Sequence, residues 1–228
     1  MNSNSSVSNW YEEYYSVINI SGDPKSLFFR KLHRLVEKYA DSAHGRDVLE
    51  VGAGNGEHMA FVEPSWNSYI CTDIREPSRK IKEEILKRGG EFKIADVHKL
   101  PFENAKFDRV ISTCLFHHLD HPMNAMREIL RVVKNGGQIT ILLPNDPGVL
   151  YRFVRKITTL KRAKKAGLLK EVELIHSLEH KNHFLSILSQ LQNEIGKNSY
   201  RIDGFPFKGL NYNLNALQIL NIRKDSNE

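Results

Sequence analysis

The residues best placed to do chemistry in this chain fall in four short stretches. The first is VLEVGAGNGE over residues 48–57, where an apolar run carrying Glu50 leads into Gly52, Ala53, Gly54 and Gly56. Alternate glycines let the backbone through a turn that residues with a Cβ resist, so something must come close to the main chain there. Residues 57–62 can open a helix. The unit then reads strand, glycine turn, helix N-terminus, the arrangement by which α/β folds bind nucleotides. A dinucleotide fingerprint, G-x-G-x-x-G, would require glycine at position 57, where Glu57 stands. The second stretch begins roughly twenty residues past the first glycine, at the distance where an acid meets ribose hydroxyls. There the strand over 69–72 ends in Asp73 and Ile74, and a later strand over 91–95 ends in Asp96 and Val97.

The third stretch, Thr113 to Leu119, holds His117 and His118 at the end of a strand. Histidine can act as a general base because its ordinary pKa lies near working pH. The plainer role for such a pair is to cap the next helix or bond a carbonyl. In the fourth, Asn145 and Asp146 follow another strand, and polar side chains at a strand end are candidates for orienting an acceptor. A proline-punctuated loop is the simpler alternative.

These residues need a frame. Strands over 47–51, 68–72, 91–95, 107–113 and 138–143 alternate with helices near 57–62, 77–87 and 123–133, with Gly89 and Gly90 stopping the second helix. That alternation predicts a parallel sheet wound on both faces, with the chemistry at the C-terminal ends of its strands. A helix over 25–40 has apolar residues at helical spacing and reads as core packing. Before it, Trp10, Tyr11, Tyr14 and Tyr15 either pack on the domain or form a lid. Near the end, an amphipathic helix carries Phe184, Leu188, Leu191 and Ile195, and strands follow near 200–205 and 214–222.

The pattern E-x-G-x-G-x-G led by Glu50, with Leu100-Pro101-Phe102 before Phe107-Asp108-Arg109-Val110 and the turn VKNGG over 133–137, resembles the class I S-adenosylmethionine-dependent methyltransferases. The likeness is to the small-molecule branch typified by ubiquinone and menaquinone methyltransferases. It covers roughly residues 46–143 and departs at Asn135, where that family usually has proline. The resemblance implies a Rossmann-like seven-stranded sheet in the order 3-2-1-4-5-7-6 with the last strand antiparallel. It also implies S-adenosyl-L-methionine as cofactor, which has a cationic sulfonium in place of a pyrophosphate. Gly52 and Gly54 would lie beneath its methionine part, Asp73 on the ribose, and Ile74, Asp96 and Val97 around the adenine, with Glu50, Ala53 and Thr113 completing the cofactor-binding set. His118, His117, Asn145 and Asp146 are the catalytic candidates. Methyl transfer to a small-molecule or lipid-linked acceptor follows, a sugar of surface-glycan assembly among them. The alternative is an inactive cofactor-binding partner subunit. Most of the family needs no metal, and none is expected.

Composition sets the outer bounds. With 228 residues, 40% of them hydrophobic, the chain can bury one sizeable core. The expected organisation is a helical lid over 1–40 and a methyltransferase domain over 41–228, with a helical insertion over about 148–180. Cys71 and Cys114 lack metal or redox spacing, which points to free thiols and a reducing, cytoplasmic compartment. The 33 basic and 27 acidic residues give a formal charge of +6, which permits an anionic partner. The charge concentrates over 149–170, where Arg152, Arg155, Lys156, Lys161, Arg162, Lys164, Lys165 and Lys170 share a stretch with Leu150, Phe153, Val154, Ile157 and Leu160. A basic amphipathic helix over 149–165 could rest on the inner membrane surface, meet an anionic acceptor, or simply be solvated. Nucleic acid is disfavoured because no binding module or interleaved aromatics accompany the charge. Glu173, His176, His180 and His183 would share a helical face; that spacing alone is a poor sign of a metal, and histidines that line an acceptor pocket or are merely exposed are the expected reading.

Overall fold

In the computed structural model, which describes residues 27–40, 47–63, 66–208 and 211–225, the apolar runs flanked by glycine, proline and acids pair into one sheet. Its strands are β1 (Asp47–Val51), β2 (Ser68–Asp73), β3 (Glu91–Ile94), β4 (Phe107–Thr113), β5 (Val133–Pro144), β6 (Ser199–Phe205) and β7 (Leu217–Arg223). The order is β3-β2-β1-β4-β5-β7-β6. Strands β1 to β5 run parallel, and β7 is antiparallel to both β5 and β6. This is the order and sense that the sequence motifs imply. Parallel pairing sets Val51 beside Thr72 and Ser112, so the loops after β1, β2 and β4 leave one edge together.

Both faces of the sheet are covered, so its central strands are buried almost continuously. The helices are α1 (Leu27–Tyr39), α2 (Arg79–Lys87), α3 (Pro122–Val132), α4 (Val149–Arg155), α5 (Lys161–Ala166), α6 (Leu169–Glu179) and α7 (Phe184–Ile195). On one face, Leu49, Val110 and Ile139 pack with Met126 and Ile129 of α3 and with Ile187 and Leu191 of α7. Val48, Tyr69 and Ile111 meet Ile85 of α2 in a second cluster. Each buried aliphatic side chain contributes about 1.5–3 kcal/mol relative to exposure.

Helix α1 is more than the apolar packing its sequence predicts. Glu37 accepts both guanidinium nitrogens of Arg109 on β4, at 2.9 and 2.8 Å, and lies 2.9 Å from His58 Nε2. His58 Nδ1 is in turn 2.7 Å from His33 Nδ1. Burial alone would raise the Glu37 pKa, but the hydrogen bonds from His58 and Arg109 outweigh it and hold the carboxyl at about 2. Burial, aided by His58, pushes the His33 imidazole down to about 3. Leu32 and Val36 of the same helix pack on Leu142, Leu217 and Ile219. Residues 27–40, grouped with a lid by the sequence, are thus docked on the sheet; Trp10, Tyr11, Tyr14 and Tyr15 lie outside the described residues.

Several boundaries differ from expectation for identifiable reasons. The helix expected over 57–62 is only a 3-10 turn, His58–Phe61. The stretch between Gly56 and Pro64 is too short to offset the cost of nucleating an α-helix. The VKNGG turn is absorbed into β5: Val133 pairs with Phe107, and the register then shifts before Arg109 meets Gln138. The basic stretch is helical from 149 to 166 through an intervening π segment, Lys156–Leu160, and ends at Gly167 in the left-handed conformation, short of Lys170. Its apolar residues do not form one stripe. Leu150 and Val154 pack on the core beneath, while Val149, Phe153 and Ile157 are 68, 56 and 51% exposed. The last strand starts at Leu217, because residues Tyr212–Leu214 form a 3-10 turn ahead of it.

Candidate active site

The glycine turn closes on the end of the neighbouring strand. Ala53 N donates to Thr72 O at 2.9 Å and Gly54 N donates to the Asp73 carboxylate at 3.0 Å. Gly52 has φ +64°, and a Cβ there would come 2.7 Å from the Leu115 side chain. Gly54 has φ +54°, yet a Cβ there would meet nothing within 4 Å. The first glycine is needed for packing against the loop after β4. Space for a ligand lies above the second.

Asp73 Oδ1 accepts from Arg75 N at 3.0 Å, which orients the carboxylate across the strand edge. Ile74 beside it is 65% exposed, an apolar platform of the kind an adenine ring covers. Asp96, one strand further out, holds the His98 backbone amide at 2.9 Å and the ring Nδ1 at 2.7 Å. Those bonds, the backbone one foremost, lower its pKa and keep it ionised. Val97 is buried beneath. Thr113 is partly exposed at the end of β4, and Cys114 after it takes φ +56°, a strained value for a residue with a Cβ, while its amide donates to Leu142 O at 3.0 Å.

Two candidate residues lie elsewhere than expected. Glu50 is 1% exposed and turned into the interior, where Tyr69 donates to it at 2.8 Å. Burial raises its pKa to about 7. It underpins the turn and does not face a ligand. Asn145 is fully buried, and its amide nitrogen donates to the carbonyls of Tyr212 and Asn215, both at 2.9 Å. It clamps the approach to β7 and cannot orient an acceptor.

Asp146 and the histidine pair lie together, joined by residues of the insertion. His117 and His118 occupy a 3-10 turn, Phe116–His118, just past β4. His180, at the end of α6, has its ring centroid 4.3 Å from that of His117, tilted, 5.4 Å from that of His118, edge-on, and 3.9 Å from that of His176. The Asp146 carboxylate is 3.1 Å from His180 Nδ1 and 3.2 Å from His176 Nε2, and Tyr151 Oη is 3.4 Å from the same His176 nitrogen. Burial raises the Asp146 pKa, but the bonds from His176 and His180 more than cancel it and leave the carboxyl well below its usual range. His118 Nδ1 bonds the Glu179 carbonyl at 2.9 Å, and burial, with the field of His180, lowers its pKa to about 4. Of the histidine face expected over 173–183, His176 and His180 therefore point into the site. Glu173 and His183 are exposed. Sequence reasoning missed Tyr151 altogether.

Residues 49–141 match the family described as methyltransferase domain. An uncharacterised protein of Methanocaldococcus jannaschii is 27% identical over 75% of this chain and 79% of its own. The ubiquinone/menaquinone biosynthesis C-methyltransferase UbiE of Pseudomonas entomophila is 32% identical over 51% of this chain, an alignment that spans 50% of that enzyme. Among solved structures, a methyltransferase from Thermotoga maritima shares the fold with a TM-score of 0.61 at 18% identity, covering 96% of each chain. Another from Mesorhizobium loti shares it with a TM-score of 0.57 at 13% identity, covering 83% of this chain and 96% of its own.

The strand order and the glycine turn are those of the class I S-adenosylmethionine-dependent methyltransferase fold, and residues 49–141 carry the methyltransferase domain. The residues present fit its cofactor. Open space lies over Gly54, two strand-end carboxylates stand where a ribose and a cationic, phosphate-free ligand would meet them, and Ile74 offers an apolar surface.

Proposed function

We propose that this enzyme moves the methyl group of S-adenosylmethionine to a hydroxyl of a polar small molecule, a sugar or a sugar-like acceptor. The observation that carries the reading is the cluster of Asp146, Tyr151, His118, His176 and His180 at the C-terminal edge of β4 and β5, roofed by the insertion. Such a lining offers hydrogen bonds to an alcohol and little to a quinone ring. When bound, the cofactor supplies an already activated methyl group. The chain's own task is to hold the acceptor oxygen in line with that methyl, exclude water and take up one proton. Asp73 and Asp96 would hold the cofactor's ribose and adenine, and Asp146 and Tyr151 would orient the acceptor. Transfer of isotope-labelled methyl to a panel of sugars, with quinones as the comparison, tests this. Label on sugar hydroxyls supports the reading; label on quinone carbon alone refutes it.

We further propose that residues 149–166 rest on an anionic lipid surface, which would suit a lipid-linked acceptor. Val149, Phe153 and Ile157 are exposed, and exposed Arg152, Lys156 and Lys161 accompany them. Apolar contact and opposite charge would then act at one surface. No helix among the described residues is long and apolar enough to cross a membrane.

A further inference from the structure

His117, His118 and His180 come from segments about sixty residues apart in sequence yet each presents a ring nitrogen within 4.8 Å of the other two. Hydrogen bonds account for only part of this assembly. His118 spends Nδ1 on the Glu179 carbonyl and His180 spends Nδ1 on Asp146, which leaves the Nε2 atoms of both rings to something else. His117 is 4% exposed, and its buried Nδ1 has no hydrogen-bond partner. Three imidazoles crowded together, one of them with an unsatisfied buried nitrogen, are costly unless a further group meets them.

We infer that His117, His118 and His180 form a binding site for a single divalent transition-metal ion of the zinc class, with Asp146 orienting His180 from outside the coordination shell. Three neutral nitrogens suit zinc, nickel or copper and do not suit magnesium or calcium, which take oxygen. Neutral imidazole is the form that a metal ion binds. The contact between Asp146 and His180 Nδ1 is the carboxylate–imidazole arrangement that fixes a ligating ring and strengthens it as a donor. A second grouping, Asp146 with His176 and His180, also lies within 4.8 Å. Its close contacts are better explained as hydrogen bonds from the rings to the carboxylate, so the ion is assigned to the first set. Three protein ligands leave a tetrahedral ion one open position. A hydroxyl bound there would lose its proton more readily. That use rests on the acceptor-site reading above; metal binding itself does not.

The test uses the full chain without a histidine tag, stripped by chelator and dialysed. Zinc is titrated in competition with a chromophoric chelator, and cobalt is followed by its visible absorption. One ion per chain is expected, with His118→Gln and His180→Gln each weakening zinc at least about tenfold, and Asp146→Asn by about ten- to a hundredfold. His183→Gln, whose ring is exposed nearby, should bind as the parent does. Thermal melts and S-adenosylmethionine titration on every variant show that each is folded. No stoichiometric zinc in the parent, or unchanged affinity in folded His118→Gln and His180→Gln, overturns the site. Equal weakening by His176→Gln and none by His118→Gln overturns the assignment in favour of the second grouping. Failure of zinc with cofactor binding and methyl transfer intact removes only this inference. Zinc bound tightly without any affinity for S-adenosylmethionine removes the function proposed above and leaves the metal site standing.

Discussion

The Asp73 carboxylate accepts the Gly54 amide at 3.0 Å, tying the tip of the glycine turn to the end of the next strand. One side chain therefore shapes the floor of the cleft and faces the ligand that the cleft would hold. Asp73→Ala should weaken S-adenosylmethionine binding by about 1.5–3 kcal/mol, the range for losing a charged hydrogen-bond partner. Calorimetric titration of the variant, with a melt to confirm folding, checks this. Parent-like affinity would show that the carboxylate does not hold the cofactor.

The two glycines on either side of Ala53 should respond differently to alanine. Gly52→Ala forces a left-handed residue, at about 1–2 kcal/mol, and drives its Cβ to 2.7 Å from Leu115, so folding stability should fall most there. Gly54→Ala has the same backbone strain but meets open space. Its main effect should be on cofactor affinity. Denaturation and titration on the pair separate the two effects, and a Gly54→Ala protein that binds cofactor like the parent would place the ligand elsewhere.

Much of this arrangement is legible in the sequence because local constraints fix it. The glycine spacing at 52, 54 and 56 has few other uses, and the strands carry apolar runs ended by Asp73 and Asp96. The spacing of His176 and His180 also announces a shared helical face. What the sequence does not reveal is what that face meets. Asp146, His117 and His118 reach it only through the packing of α6 over the ends of β4 and β5. The burial of Glu50 is hidden for a similar reason, since a motif states which residue stands in a strand and not which way it points. Glu37 likewise reads as an ordinary helix-surface acid until Arg109 and His58 arrive from elsewhere in the fold.

Glu50 gives a pH signature. Its pKa rises from an ordinary 4.5 to about 7 on folding, mainly through burial. A raised carboxyl binds its proton more tightly in the folded state. Its contribution to stability is complete below pH 4.5 and is lost as pH rises through 7, with roughly 3 kcal/mol at stake. Glu50→Gln has no such group to titrate, so relative to the parent it should gain stability between pH 5 and pH 8. Urea unfolding of both proteins at the two pH values measures the difference. An unchanged difference would mean that the parent carboxyl ionises normally.

The exposed face of the helix over 149–166 should bring the protein to anionic vesicles at low salt and release it as salt screens the charges, each basic residue contributing on the order of 1 kcal/mol. Neutral vesicles should not support flotation. Replacing Arg152, Arg155, Lys156, Lys161 and Arg162 by glutamine should abolish it and leave cofactor affinity unchanged. Absence of flotation at low salt would assign the face to solvent.

The cleft over Gly54 and between Asp73 and Asp96 should bind S-adenosylmethionine. The most direct measurement is a calorimetric titration of the full chain with S-adenosylmethionine and, separately, with NAD. One site per chain for the methyl donor and no heat with NAD is the predicted result. Binding of NAD, or no binding of S-adenosylmethionine to folded protein, would contradict it.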